Sequence, residues 1–97
     1  MSKDMIHHTT PRYWQYYNTL PAKIKILAKK NFEILKATPN YPSLNLKKIK
    51  KYWSVRVGIH YRALGIDTPR QDGIIWFWIG SHEAYNKLIK KMRTRRL

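Results

Sequence analysis

The 97-residue sequence contains no cysteine, which excludes disulfides, thiolate nucleophiles and thiolate-held zinc. Acids are scarce too: five, at positions 4, 33, 67, 72 and 83, against twenty lysines and arginines. So scattered a set offers no carboxylate pair for glycoside hydrolysis or two-metal catalysis. The four glycines are dispersed, so no glycine-rich loop cradles a phosphate. The longest apolar run, Ile74 to Ile79, is six residues, far short of the roughly 20 that span a bilayer. The opening MSKDMIHHTT has no apolar stretch of the secretory kind, so the expectation is a cytoplasmic protein without membrane contact. His7, His8, His60 and His82 lack metal-ligand spacing with acidic support. No metal or cofactor is expected, and His7-His8 reads as a solvated terminal pair.

What the chain does have is positive charge and aromatic bulk. It is 43% hydrophobic and 13% aromatic, enough for one buried core and against disorder. Residues 1–97 read as a single domain with a basic C-terminal extension over about 91–97. The net charge of +15 repels itself in a compact state, and a polyanionic partner relieves that repulsion. Nucleic acid, an anionic membrane and an acidic protein are the three classes to weigh. Between Glu33 and Asp67 there is no acid, but there are Lys36, Lys47, Lys48, Lys50, Lys51, Arg56, His60 and Arg62. A one-sign interval running through strand-like sequence points to a fixed cationic surface.

Local patterning yields the elements. Ile6 to Thr9 reads as a short strand. Thr10-Pro11 signals an N-cap and first helical turn, opening a short helix that carries Trp14 and Tyr17 on one side. Pro21 starts a longer helix over about 21–37, whose Ile24, Leu27, Ala28, Phe32, Ile34 and Leu35 form one apolar arc. From Ser43 the period becomes two, with Leu44 and Leu46 as a strand start. Trp53, Val55 and Val57 then alternate with Ser54 and Arg56, which puts Arg56 opposite the apolar row. A turn near Gly58–His60 leads to a strand at 61–66, and the loop 67–73 connects it to Ile74–Ile79. Strict alternation there places Trp76 and Trp78 on one face and Ile75, Phe77 and Ile79 on the other. Ser81 caps a last helix with Tyr85, Leu88, Ile89 and Met92 on one side. The fold class is α+β: an N-terminal helical hairpin on a small antiparallel sheet, closed by a short C-terminal helix.

These residues suit cleavage of an RNA phosphodiester without a metal. The 2′-hydroxyl attacks the neighbouring phosphate, so the reaction needs a proton acceptor, a proton donor and cations for the phosphorane. Histidine, tyrosine and arginine supply all three. His60, Tyr61 and Arg62 fall at a strand start beside Arg56, while His82 and Tyr85 share a face at a helix start, where free N–H groups also attract phosphate.

The run Tyr52-Trp53-Ser54-Val55-Arg56-Val57-Gly58-Ile59-His60-Tyr61-Arg62-Ala63-Leu64 resembles the strand–turn–strand signature of RelE/ParE-superfamily toxins, with one additional residue before Tyr61. Gly80-Ser81-His82-Glu83-Ala84-Tyr85 resembles the family's ending, and Leu20-Pro21 and Pro42-Ser43-Leu44 fit upstream, so the likeness covers about residues 5–91. The resemblance implies a toxin of a type II toxin–antitoxin system, partnered by a small antitoxin with an acidic segment. RelE-like members cut mRNA on the ribosome, whereas ParE-like members inhibit DNA gyrase. Carried over by position, Arg62 is the phosphate-contacting arginine, Arg56 the basic strand residue, His82 the proton shuttle and Tyr85 an assisting acid or positioning group. Lys47, Lys48, Lys50, Lys51 and His60 would grip RNA. The lysines of some RelE-like strands are replaced here by Trp53, Ser54 and Val55, and Glu83 stands near the place of a basic residue. Three readings follow: a ribosome-dependent endoribonuclease, a gyrase inhibitor, and a non-catalytic RNA-binding module.

Overall fold

Thr10 turns the chain from strand to helix: its Oγ1 accepts the Tyr13 N–H at 3.1 Å, and Pro11 takes the first helical position. The computed structural model describes residues 5–94. In order these are β1 (Ile6–Thr9), α1 (Pro11–Asn18), α2 (Ala22–Ala37), β2 (Lys47–Ile49), β3 (Tyr52–Val57), β4 (Tyr61–Asp67), β5 (Gly73–Ser81) and α3 (His82–Thr94). No helix among the described residues is long and apolar enough to cross a membrane.

The five strands are ordered β1-β5-β4-β3-β2. The meander β2 to β5 is antiparallel, as the alternation required. β1, however, runs parallel to β5, so the sheet is mixed rather than antiparallel throughout. The strand expected to start at Leu44 also differs. Pro42–Leu44 form a 3₁₀ turn, Asn45 takes a left-handed φ of 47°, and pairing begins only at Lys47. A left-handed residue reverses the chain locally, which ends the two-residue period that Leu44 and Leu46 mimic.

One sheet face receives α1 and α2. Tyr13, Leu20, Ala28, Leu35, Leu44, Val55, Val57, Ala63, Ile74, Trp76 and Ile79 form its buried core. Tyr17 Oη donates to the Lys25 carbonyl at 3.3 Å, tying the two helices together. Burial and the neighbouring Tyr17 push the Tyr13 phenol up to about 12, so it stays neutral. The other face carries a smaller cluster of Leu64, Trp78 and Tyr85, with Leu88 and Ile89 of α3 packed against it. Ser81 Oγ accepts the Ala84 N–H at 3.1 Å and caps α3 as expected. The helix continues through the basic Lys90 and Lys91 to Thr94; Arg95 and Arg96 of the expected extension lie outside the described residues.

Trp76 and Trp78 occupy opposite cores, against the expectation from alternation. Leu64 pairs with Trp78 and Gly65 with Trp76, so Phe77 is the extra residue of a β-bulge. A bulge shifts the side-chain parity by one, which sends one tryptophan under α2 and the other under α3.

His7 is likewise not a solvated terminal residue. Its Nδ1 accepts the Trp76 Nε1–H at 3.1 Å, and its ring lies edge-on to Phe32 with centroids 5.9 Å apart. Nδ1 is therefore unprotonated, and the ring carries its proton on a buried Nε2 that has no partner. Burial, with Lys36 and then His8 adding repulsion, holds the His7 pKa below its ordinary value. A depressed histidine pKa stabilises the fold above the unfolded value near 6.5 and withdraws that stability as pH falls through the folded value. Denaturant melts should accordingly show lower stability at pH 5 than at pH 7.5, and His7→Gln should flatten this dependence; an unchanged slope in the variant would contradict the role given to His7.

Candidate phosphate-binding and proton-transfer site

The α3 face of the sheet is where cations meet. β3 and β4 place Arg56 directly opposite Arg62, and the residue opposite Arg62 on its other side is Gly80. Like charges directly across a strand pair repel, so this pairing does not arise from stability. Gly80 keeps the place open: a Cβ there would meet the Trp78 ring at 2.6 Å. The Trp78 indole thus lies along the strand where a side chain would otherwise stand beside Arg62.

Arg56 is exposed and Arg62 half-buried. The Arg62 guanidinium carbon sits 5.2 Å from the centroid of the Tyr85 ring, a cation–π contact. Its Nε and Nη1 are buried with no hydrogen-bond partner, and Ser54 Oγ on the same face is also unpaired. Unpaired donors in a shielded place are costly unless an acceptor arrives. Nε and Nη1 of Arg62 are therefore donors that an oxyanion would satisfy.

His82 is the first residue of α3, and its ring stacks on Tyr85 at 6.2 Å between centroids with 21° between planes. Its N–H donates to the His60 carbonyl at 2.6 Å, so the β3–β4 turn fixes the start of the helix. Gly58 forms that turn with φ +69°, a conformation that a side chain rarely adopts. Arg62, Tyr85 and His82 thus form one contiguous row, with Arg56 beside Arg62. Tyr85 is only 7% exposed and packs on Leu64 and Trp78, so its ring serves as the floor under Arg62.

The other expected residues divide. Lys47 pairs with Ser54 and so shares the Arg56 side of the sheet, while Lys50 and Lys51 are exposed in the β2–β3 turn, Lys51 resting 5.9 Å from the Tyr52 ring. His60 is exposed at the next turn. Lys48 is placed differently from the other lysines. It pairs with Trp53, which belongs to the α2 side, and its ammonium is held by the Asp67 carboxylate. Asp67 also accepts the Trp53 Nε1–H at 2.8 Å, and the hydrogen bonds from Lys48 and Trp53 hold its pKa below the ordinary carboxylate range. Asp67 is thus a clip between β2, β3 and β4 rather than a turn residue alone. No sequence pattern links Lys48 to an acid 19 residues away.

The sequence profile described as "ParE-like toxin domain" matches residues 22–87, about two thirds of the chain. No curated protein sequence matches it. Among solved structures, RelE in the RelB–RelE antitoxin–toxin complex from Methanococcus jannaschii superposes with a TM-score of 0.65 at 20% identity, covering 84% of this chain and 96% of that one. The YoeB/ParE toxin from Agrobacterium tumefaciens gives 0.60 at 18% identity, covering 80% and 99%. The isolated RelE toxin of Escherichia coli gives 0.58 at 13% identity, covering 91% and 98%. The mixed five-stranded sheet with its helical hairpin is therefore the RelE-like fold. By its profile match the chain belongs to the ParE-like toxin domain family, the toxins of RelE/ParE-type toxin–antitoxin systems.

Proposed function

We propose that this toxin is an mRNA endoribonuclease that acts on the ribosome, needs no metal and stops translation. The observation that carries the reading is the Arg62 guanidinium, with Nε and Nη1 unpartnered, lying over a Tyr85 ring that also stacks with the His82 imidazole. The RNA 2′-oxygen attacks phosphorus, the bond to the 5′-oxygen breaks, and a 2′,3′-cyclic phosphate and a 5′-hydroxyl end result. His82 takes the 2′-hydroxyl proton and returns one to the leaving 5′-oxygen, since an imidazole near neutral pH serves both steps. Arg62 and Arg56 hold the phosphate oxygens as negative charge builds. Of the two roles open to Tyr85, its burial favours positioning: it holds Arg62 in place. Lys47, Lys50, Lys51 and His60 extend the grip along the strand. So small a protein has little surface for choosing an RNA sequence, so the ribosome presents the substrate. The large excess of positive charge suits a small antitoxin with an acidic segment.

A second reading, inhibition of DNA gyrase, is favoured by two observations. The matching profile is that of ParE-like domains. In addition, the strand positions where some RelE-like enzymes carry lysine hold Trp53, Ser54 and Val55, none of which presents a cation. One induced-expression experiment separates the two readings. Mapping transcript 5′ ends should reveal new ends in translated messages with plasmid supercoiling unchanged, and supercoiling loss without cleavage would establish the gyrase reading instead.

In the same assay His82→Ala and Arg62→Ala should abolish cleavage and growth arrest while both proteins keep wild-type circular dichroism. Persistent toxicity in both would remove these residues from the mechanism. Tyr85 separates floor from acid. Tyr85→Phe should retain most activity and stability, whereas Tyr85→Ala should lose about 3 kcal/mol in denaturant melts together with activity. Finally, five cations on five phosphates predict that single-stranded RNA affinity falls about a hundredfold from about 50 to about 200 mM salt. Fluorescence anisotropy across that range checks the number of phosphates held.

A further inference from the structure

Two aliphatic side chains stand out for exposure: Ile59 at 81% in the β3–β4 turn and Ile26 at 69% on α2. They flank a single contact. A Cβ on Gly58 would lie 2.9 Å from the Leu27 side chain, so the turn is pressed against the N-terminal half of α2. The apolar arc of α2 faces inward through Ala28 and Leu35, with Ile24, Leu27, Phe32 and Ile34 packed beside them. Ile26 falls outside that arc. Its neighbours on the helix surface, at i−3, i+3 and i+4, are Lys23, Lys29 and Lys30, all exposed. Glu33 is the only acid in α2, and it is paired with Lys36 at 3.1 Å. At the turn, His60 is exposed next to Ile59.

An uncovered aliphatic pair within a rim of cations marks an interaction surface. Nucleic acid would neutralise the lysines but leave the isoleucine methyls without an apolar partner. A peptide bearing carboxylates and branched apolar side chains satisfies both parts of the surface. We infer that the outward face of α2 and the Gly58–His60 turn form the docking surface for the acidic segment of the antitoxin. Its carboxylates lie on Lys23, Lys29 and Lys30, and its apolar side chains on Ile26 and Ile59. The inference rests on the antitoxin reading above and adds the place where that partner binds. Because α2 covers the opposite sheet face from Arg62 and Tyr85, the partner's hold on α2 lies away from the row of Arg62, Tyr85 and His82.

The test is calorimetric titration of the toxin with the small acidic protein encoded beside it. Ile26→Glu and Ile59→Glu should each weaken binding at least about tenfold and the pair together by about a hundredfold or more. Ile6→Glu, an exposed apolar position on β1, should change nothing. All three side chains are exposed, so the variants should keep the wild-type melting profile. If the neighbouring protein binds the double variant as tightly as wild type, this docking surface is wrong while the antitoxin reading stands. Absence of binding to the wild-type toxin overturns that reading, and this inference with it. If reversing Lys23, Lys29 and Lys30 to glutamate weakens binding of a short RNA duplex and leaves the neighbouring protein's binding intact, the surface belongs to nucleic acid and the inference also falls.

Discussion

Two arginines, Arg56 and Arg62, stand directly opposite each other on β3 and β4, and among the described residues neither is held by a carboxylate. This juxtaposition works against folding, and much of the molecule can be understood as the means of tolerating it. The sheet holds both backbones rigidly because each face is covered: α1 and α2 lie on one, α3 on part of the other. The guanidinium of Arg62 then gains what it can from the Tyr85 ring. Five acids cannot neutralise twenty cations, and two of them are spent on structure, Asp67 at the strand clip and Asp72 accepting from Thr68 Oγ1 at 2.6 Å. Most of the positive charge is therefore left without an acid to balance it.

The bulge at Phe77 connects this electrostatic arrangement to packing. By sending Trp76 and Trp78 to opposite sides, it gives each thin core one large ring. A domain of this size buries little surface, so two indoles contribute heavily to both layers. Trp78 also determines that position 80 be glycine, since its ring fills the space of a Cβ there. Packing and the candidate site thus share one strand end, where Gly80, Ser81 and His82 pass from sheet to helix.

What the sequence made legible was local. The Thr10-Pro11 cap, the α2 arc, the exposure of Arg56 and the Ser81 cap each depend on residues within a turn or two, and each is where the pattern put it. Helical spacing put His82 and Tyr85 on one face of α3, but it left Arg62 in a separate strand, and only family likeness joined the three into one row. What stayed unread concerns partners remote in sequence. Lys48 finds Asp67 on another strand, His7 finds Trp76 across 69 positions, and the bulge arises from the register of β4 against β5. Strict alternation has no term for an extra residue, and a terminal His-His pair looks solvated until a parallel strand partner covers it.

The parallel pairing of β1 with β5 bears on when this molecule comes into being. The first strand of the sheet and the last to be synthesised are immediate neighbours, and β4 also takes its outer partner from β5. A nascent chain carrying residues 5–72 has its hairpin and its cations but lacks the strand that sits between β1 and β4. The row of Arg62, His82 and Tyr85 is therefore assembled only at the close of translation, so a shorter chain carries its arginines before the helix that completes their surroundings.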